Sequence, residues 1–438
     1  MEKTQQPPAR WQAPFFTIWT GQAFSLVGSR LVQFALVWWL TQTTGSATVL
    51  ATATLVALLP GIVLGPFVGT LVDRWNRRMV MIVADGFVAL VSVWLAYLFW
   101  TGSASVWHVY VAMLARSLGE GFHWPAMQAS TSLMVPKEQL SRVSGLNQTL
   151  QGALSIVAPP LGAILLGLLP LYGILGIDLA TASIAIVSLL LIAIPQPERA
   201  AAAGTAAAGG AGRASLWQDF RAGLRYVRGW PGLMAVVLLA MIINFVVNPA
   251  FSLMPLLVTE HFHAGVLELG WLEAAWGVGM VAGGLLLTVW GGFRRRVYTS
   301  LSGLVLSGIA IVGVGLASEH AFPLALGCLL VAGFLNPFVN GPFFAILQAS
   351  VAPEMQGRVF TLVGSLISAM MPLSLAVAGP VADAIGIQSW YVIGGVAFAL
   401  FGAGSFLVPV IVHIEDNGHS TPDGGRTPAP TEFSLAGD

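Results

Sequence analysis

Within long apolar runs this chain places a small set of ionisable side chains: Arg30, Asp85, Arg116, Glu120, Asp178 and Glu273. A charge in hydrocarbon is expensive and persists where it is paired, wetted or used. A carboxyl beside a cation forms an ion pair. A carboxyl without one can exist as the neutral acid, and so can load and release a proton. Arg116 and Glu120 lie one helical turn apart, and Arg30 sits at comparable depth in an earlier run. The three are expected to form one buried charged network. Glu120, between two cations, reads as a structural counter-ion, with a proton-coupling role as the alternative. Glu273 and Asp178 have no cation near them in sequence and are the other expected proton-coupling acids. The plainer reading of both is an acid wetted at the headgroup zone.

A second cluster sits between two apolar runs: Gly69, Asp73, Arg74, Arg77 and Arg78, with Asp85 two turns into the following run. Positive charge in such a loop serves topology. Asp73 adds nothing to topology, so the cluster is expected to act as a gate whose ion pairs break and re-form, with Asp85 as a further partner of the arginines. Gly61, Gly65 and Gly69 recur every four residues, a stripe that lets another helix approach closely. No strand precedes these glycines and no Lys-Ser/Thr follows, which excludes a phosphate loop.

The elements that must hold these groups follow from composition. The 438 residues are 56% hydrophobic and only 9% charged, with a mean hydropathy of +0.81. A soluble surface needs far more charge. Nineteen basic and nineteen acidic side chains balance, so no nucleic-acid partner is expected. The lone Cys328 cannot form an intramolecular disulfide. His261 and His263 lack a third ligand, so no metal is expected, and no cofactor or catalytic constellation is present in the sequence. The chain reads as an all-α polytopic membrane protein and not an enzyme.

Windows of about twenty apolar residues place twelve transmembrane helices near 15–40, 48–72, 79–100, 106–128, 143–168, 171–194, 232–258, 269–290, 297–317, 322–347, 359–382 and 388–412. With the N-terminus inside, the inner loops collect Arg74, Arg77, Arg78, Lys137, Arg142, Arg294, Arg295, Arg296 and Arg358, while outer connections such as 41–47 and 101–105 carry no Lys or Arg. The positive-inside rule then puts both termini in the cytoplasm of a cell whose inner membrane holds the chain. An Ala/Gly tract over 200–212 separates six spans from six, and Leu216, Phe220, Leu224 and Val227 share a face opposite Arg221, Arg225 and Arg228. That pattern is expected of a helix lying on an anionic leaflet.

The expected division is a tail at 1–13, a six-helix bundle at 14–195, a linker at 196–231, a second bundle at 232–413 and a disordered tail at 414–438. The bundles repeat. Gly61, Gly65, Arg77 and Arg78 recur 218 positions later as Gly279, Gly283, Arg295 and Arg296; Pro125, Pro136 and Gly162 recur 217 later as Pro342, Pro353 and Gly379; Arg142-Val143 recurs 216 later as Arg358-Val359. Parallel repeats of this kind imply a cavity at their interface that opens to either side by rocking. Polar and aromatic side chains expected to line it are Gln22, Gln33, Trp38, Asn147, Gln148, Gln151, Asn244, Asn248, Asn336 and Asn340. A roomy pocket of amides and rings with few fixed charges suits large, mostly apolar compounds.

These residues resemble the major facilitator superfamily. Gly69-x-Leu71-x-Asp73-Arg74-x-x-Arg77-Arg78 looks like its loop signature between the second and third helices, with Asn76 where the family usually has Gly. Arg116, Gly119 and Gly121 resemble its fourth-helix motif, and Ala158-Pro159-Pro160-Leu161-Gly162-Ala163 looks like a degenerate antiporter motif with alanines for the outer glycines. More narrowly, Phe16-Thr17-Ile18-Trp19-x-Gly21-Gln22-Ala23, Met81-Ile82-x-Ala84-Asp85 and Gly357-Arg358-Val359-Phe360 look like the macrolide-efflux branch of its drug:proton antiporters, as does the acid at Glu273. The resemblance spans about 14–412. It implies a monomeric secondary transporter that exports amphipathic drugs, macrolides among them, using the proton gradient and contacting membrane lipids. A siderophore or metabolite exporter of the same architecture is the alternative, and a non-transporting scaffold or receptor the second.

Overall fold

The structure is a computed structural model that describes residues 11–136, 139–194, 221, 224–351 and 353–415, with backbone alone at 65–67, 69–70, 73–74, 141, 349–350 and 353–358. Residues 1–10 and 416–438 of the expected tails and the Ala/Gly tract lie outside the described residues, as do Leu216 and Phe220.

Long runs of Leu, Val, Ala and Ile must satisfy their backbone groups internally in a hydrocarbon setting, and the α-helix does so within each segment. Twelve long helices result among the described residues: α1 (Gln12–Thr44), α2 (Ala47–Arg74), α3 (Arg77–Trp100), α4 (Val106–Met134), α5 (Leu140–Leu168), α6 (Leu171–Leu191), α7 (Pro231–Ser252), α8 (Val266–Trp290), α9 (Arg296–Leu316), α10 (Phe322–Ser350), α11 (Pro353–Ile385) and α12 (Ile387–Ser405). No strand occurs among the described residues. Eleven of the twelve are long and apolar enough to cross a membrane. The exception is α4, whose Arg116, Glu120, His108 and His123 lower its hydropathy; it is shielded by packing on α2 and α3.

Local signals set the boundaries. Ser46 caps α2 by accepting from the Val49 N–H at 3.3 Å, and Asn76 caps α3 by accepting from Met79 at 3.2 Å, a role that Gly could not fill. Two expected spans are shorter than their hydropathy. The seventh stops at Ser252, where Pro249 and Pro255 remove helix donors and a π-helical turn, Leu257–His261, follows. The twelfth stops at Ser405, and a separate turn begins at Pro409.

The packing of the first six helices repeats in the last six. α1 packs on α5 and α6, α2 on α4, and α3 on α4 and α6; correspondingly, α7 packs on α11 and α12, α8 on α10, and α9 on α10 and α12. Two further pairs, α5 with α8 and α2 with α11, join the groups and are mates under the same correspondence.

The apolar cores are arranged asymmetrically along the helices. At the end carrying the α1–α2 and α11–α12 turns, one buried cluster contains residues from both groups, among them Leu36, Leu50 and Ala163 with Leu253, Leu269 and Ala382. At the other end, which carries Arg77 and Arg78, the clusters are separate. One holds Phe15, Val72, Met81 and Leu189, and others hold Val227, Leu233 and Leu347 or Val297, Ile346 and Ile411. The groups are thus joined at one end and parted at the basic end.

The glycine stripe divides between its two copies. A Cβ on Gly283 would stand 1.9 Å from the Phe334 carbonyl oxygen, so α8 and α10 touch backbone to backbone. A Cβ on Gly279 would likewise stand 2.2 Å from the Leu330 carbonyl oxygen, whereas its mate Gly61 meets nothing within 4 Å and makes no such close contact, contrary to the expected packing stripe. Gly283→Ala should therefore lower the melting temperature in detergent, by overpacking on the order of 1–3 kcal/mol. Gly61→Ala should leave it unchanged or raise it. Equal responses would contradict this packing.

Candidate functional site

The deepest polar feature is built from four helices of the first group. The Asp178 carboxylate on α6 faces Arg116 on α4, with NH1 donating to Oδ2 at 2.6 Å and NH2 to Oδ1 at 3.4 Å. Ser92 on α3 donates to the same Oδ2 at 2.7 Å, and Ser29 on α1 reaches Oδ1 at 3.5 Å. Arg116 also donates to Ser92 at 2.6 Å. Asp178 is 1% exposed and Arg116 5%. A buried pair with this many charge-assisted hydrogen bonds is the arrangement in which ionised groups survive desolvation.

A second polar layer lies two turns toward the basic end. Asp85 on α3 accepts from Gln22 on α1 at 3.0 Å, and His123 on α4 stands 3.4 Å from its other oxygen. The two layers share a register: Gln22 and Ser29, Asp85 and Ser92, and Arg116 and His123 are each separated by seven residues. Seven residues are nearly two helical turns, so each helix presents both members on one face.

This geometry corrects several expectations. Arg116 pairs with Asp178 and not with Glu120, because α4 turns residue 116 toward α3 and α6 and leaves residue 120 exposed. Glu120 makes no ion pair with the described residues, and Arg30 instead donates to Gln151 on α5 at 3.4 Å. Asp178 therefore has a cation, 62 positions away in sequence, and is not a solitary acid. Asp85 has Gln22 and His123 as its partners, not the arginine cluster. Gln22 and Trp38 are buried in helix packing, and neither is among the residues lining the two cavities described below.

Arg77 and Arg78 bind helix ends. Arg78 donates to the Leu189 and Leu190 carbonyls at 2.6 and 2.7 Å, capping the last turn of α6. Arg77 donates to Ala129 on α4 at 2.8 Å, and Arg296, the repeat mate of Arg78, donates to Ala345 near the end of α10 at 3.5 Å. Cations at helix C-termini are favoured by the free carbonyls and the macrodipole. Gly69, Asp73 and Arg74 lie outside the residues whose side chains are described.

Beside these layers a cavity of about 360 Å³ opens between α4 and α5 at the basic end, lined by Trp124, Gln128, Thr131, Ser144, Asn147, Gln148 and Gln151 among others. Asn147 is fixed by the Trp19 indole N–H at 2.8 Å. Glu120, Trp124 and Gln128 follow one another at four-residue intervals on α4, and Gln33 is exposed on α1. In the second group a mostly apolar cavity of about 170 Å³ is lined by Ile243, Leu304, Phe343 and Phe344 with Asn244 and Asn340. The amides form two short ladders, Asn248 to Asn244 at 3.3 Å and Asn340 to Asn336 at 3.3 Å.

Glu273 occupies the joint between the groups. On either side of it along α8, Gly270 lies against Pro159, Pro160 and Ala163 of α5, and Gly277 against Ser155 and Ile156. Pro159 and Pro160 lack N–H groups, so the Ser155 and Ile156 carbonyls lose their helical donors. Glu273 is half-buried and makes no hydrogen bond or ion pair with the described residues. Among those residues no group of three or more metal-ligating side chains occurs.

Ser92, His123 and Ser29 were not marked by sequence reasoning; their seven-residue spacing from Asp85, Arg116 and Gln22 is the signal that finds them. Breaking the central pair has a definite expectation. Arg116→Leu leaves a buried carboxylate without its cation and should cost about 3–5 kcal/mol. The double replacement Arg116→Leu with Asp178→Asn should recover part of that loss, measured as the melting temperature and monodispersity of the purified protein. Equal losses for the single and double variants would show that the pairing carries none of the effect.

Comparison with known proteins agrees with this architecture. The sequence model of the Major Facilitator Superfamily matches residues 18–374. Macrolide efflux protein A of Streptococcus pyogenes is 34% identical over 386 residues, 88% of this chain and 93% of that protein. The multidrug efflux pump Tap of Mycolicibacterium fortuitum is 27% identical over 394 residues, 87% of this chain and 92% of the pump. Among solved structures, a bacterial homolog of the human lysosomal transporter Spinster, in an inward-facing and unoccupied conformation, superposes with a TM-score of 0.67 at 14% identity, covering 95% of this chain and 100% of that one. This chain is a multi-pass membrane protein and belongs to the major facilitator superfamily of transporters.

Proposed function

We propose that the protein exports amphipathic drugs, macrolides first among them, across the cytoplasmic membrane in exchange for protons. Both termini and the arginine-bearing end face the cytoplasm, as the distribution of basic residues favours. One observation carries the reading. The two groups of helices share a core at the outer end and have separate cores at the inner end, where a cavity of amides and an indole opens. Such a cavity receives a compound from the cytoplasm or inner leaflet, and rocking about the joined end delivers it outward. Gln128, Asn147, Gln148 and Gln151 supply neutral hydrogen bonds, and Trp124 a ring face, so a large compound with scattered oxygens fits without a fixed charge partner. The macrolide and multidrug exporters to which the chain is similar support the same substrate class.

Glu273 is the coupling acid of this proposal. It stands in the α5–α8 joint, which every swing of the two groups must rearrange, and can gain or lose a proton without breaking an ion pair. Asp178, held by Arg116, serves as a structural anchor. Each proton returning across about 100 mV supplies about 2.3 kcal/mol, enough to drive export against a gradient. The protein works as a monomer among lipids, with the proton gradient as its energy source and no bound cofactor.

The test is accumulation of a labelled macrolide in an efflux-deficient bacterium expressing the chain. Lower accumulation that a protonophore abolishes is the expected result, and Glu273→Gln should slow export at least about tenfold while leaving the protein folded. Export of a catecholate siderophore in place of the macrolide would overturn the substrate, and full-rate transport by Glu273→Gln at every pH would overturn the coupling site.

A further inference from the structure

At the outer end one carboxylate bridges the two groups of helices. Asp383 lies in the last turn of α11, and its oxygens meet the first turn of α2, more than three hundred residues away in sequence. Oδ1 accepts from the Ala47 N–H at 2.6 Å. Oδ2 accepts from the Thr48 N–H at 3.0 Å, the Thr48 hydroxyl at 2.6 Å and the Ser46 hydroxyl at 3.1 Å. Two of the backbone donors that any helix leaves free at its start are thus satisfied from the other half of the molecule. The negative charge also sits at the positive end of the α2 macrodipole. One turn earlier on α11, a Cβ on Gly379 would stand 2.9 Å from the Thr48 Cα, so the two backbones touch beside the carboxylate.

From these contacts we infer that Asp383 is a latch: by capping α2 across the interface it holds the outer end closed and sets how much of the protein rests open to the inside. The inference rests on the proposed alternating access, since a chain that never opened outward would have no use for a releasable contact. Geometry separates a latch from a weld. Arg116 and Asp178 are buried and join helices of one group, so a swing of the groups does not strain them. Asp383 is exposed. When α11 withdraws, water can replace its oxygens at the Ala47 and Thr48 donors, and Ser46 remains as α2's own cap through the Val49 N–H. The contact is therefore favourable when made and survivable when broken, as a reversible closure requires. Parting α2 from α11 at the outer end separates Gly379 from Thr48.

The inference is tested by distance, not transport. In a Cys328→Ser background, spin labels at Ser103 and Ser318 report the outer end from opposite groups; both residues are exposed and away from the latch. With no substrate and no gradient, the parent should give one short-distance population. Asp383→Ala should raise the ratio of long to short distances about tenfold or more, the size expected for losing a set of charge-assisted hydrogen bonds. Asp383→Asn, which keeps an acceptor oxygen but no charge, should fall between the two, and so provides the reading if the alanine variant folds poorly. Thr48→Val, removing a single donor, should shift the ratio in the same direction by less. Distributions for Asp383→Asn and Thr48→Val that superpose on the parent's would overturn the latch. Because no compound is transported in this experiment, that result would leave the exporter reading standing, and a wrong substrate would leave the distances unaffected.

Discussion

The first six helices are organised around the carboxylate of Asp178. Hydrocarbon offers no water to a buried charge, so once this acid is placed in α6 its partners must come from neighbouring helices. Arg116 supplies the cation and two of the four hydrogen bonds, Ser92 a hydroxyl that touches both, and Ser29 a longer contact from α1. Four helices are thereby fixed in depth and rotation by one set of bonds. The second layer at Asp85 repeats the device with neutral Gln22 and a histidine, nearer the end where the cavity opens.

Against this rigid group the joints between the halves are of a different kind. α5 meets α8 through glycines laid on a pair of prolines, and α2 meets α11 through Gly379 and an exposed carboxylate. Small residues permit close approach without interlocking side chains, so these surfaces can slide or part at modest expense. On the proposed alternating access the contrast divides the labour: paired charge stiffens the first group, and glycine contacts with one exposed acid form the seam between the groups.

Much of this was legible in the chain. Hydropathy placed twelve helices, most ends to within a few residues and the end of the last one seven residues too far, because the bilayer imposes length and apolarity directly on sequence. The offset repeat at Gly61/Gly279 and Arg77/Arg295 anticipated which helices correspond. The expected gate cluster divides: Arg77 and Arg78 bind carbonyls of α4 and α6, and Asp85 belongs to another layer. Partner choice was less legible. Arg116 has an acid one turn away and another 62 residues distant, and local spacing favours the former. The fold selects the latter because residue 116 faces α6 while residue 120 faces open space. Gln22 and Trp38 look like cavity residues by type, yet their positions on α1 point into packing. Asp383 carried no signal at all, since its meaning lies entirely in where α2 begins.

The seven-residue register of the two polar layers has a mechanical consequence. Seven residues fall about 20° short of two full turns, so α1, α3 and α4 can keep both layers engaged only at one relative rotation. A twist or one-residue slip in any of them would break bonds at two depths together. These three helices and α6 must then travel as a single lever during any excursion of the protein. Bending is left to α2 and α5, which contribute to neither layer and both carry prolines in their interiors, Pro60 and Pro66 in α2 and Pro159 and Pro160 in α5. On the proposed swing of the halves, torque would collect in these two helices, and the share borne by α5 falls beside Glu273, so compliance meets the candidate protonation site there.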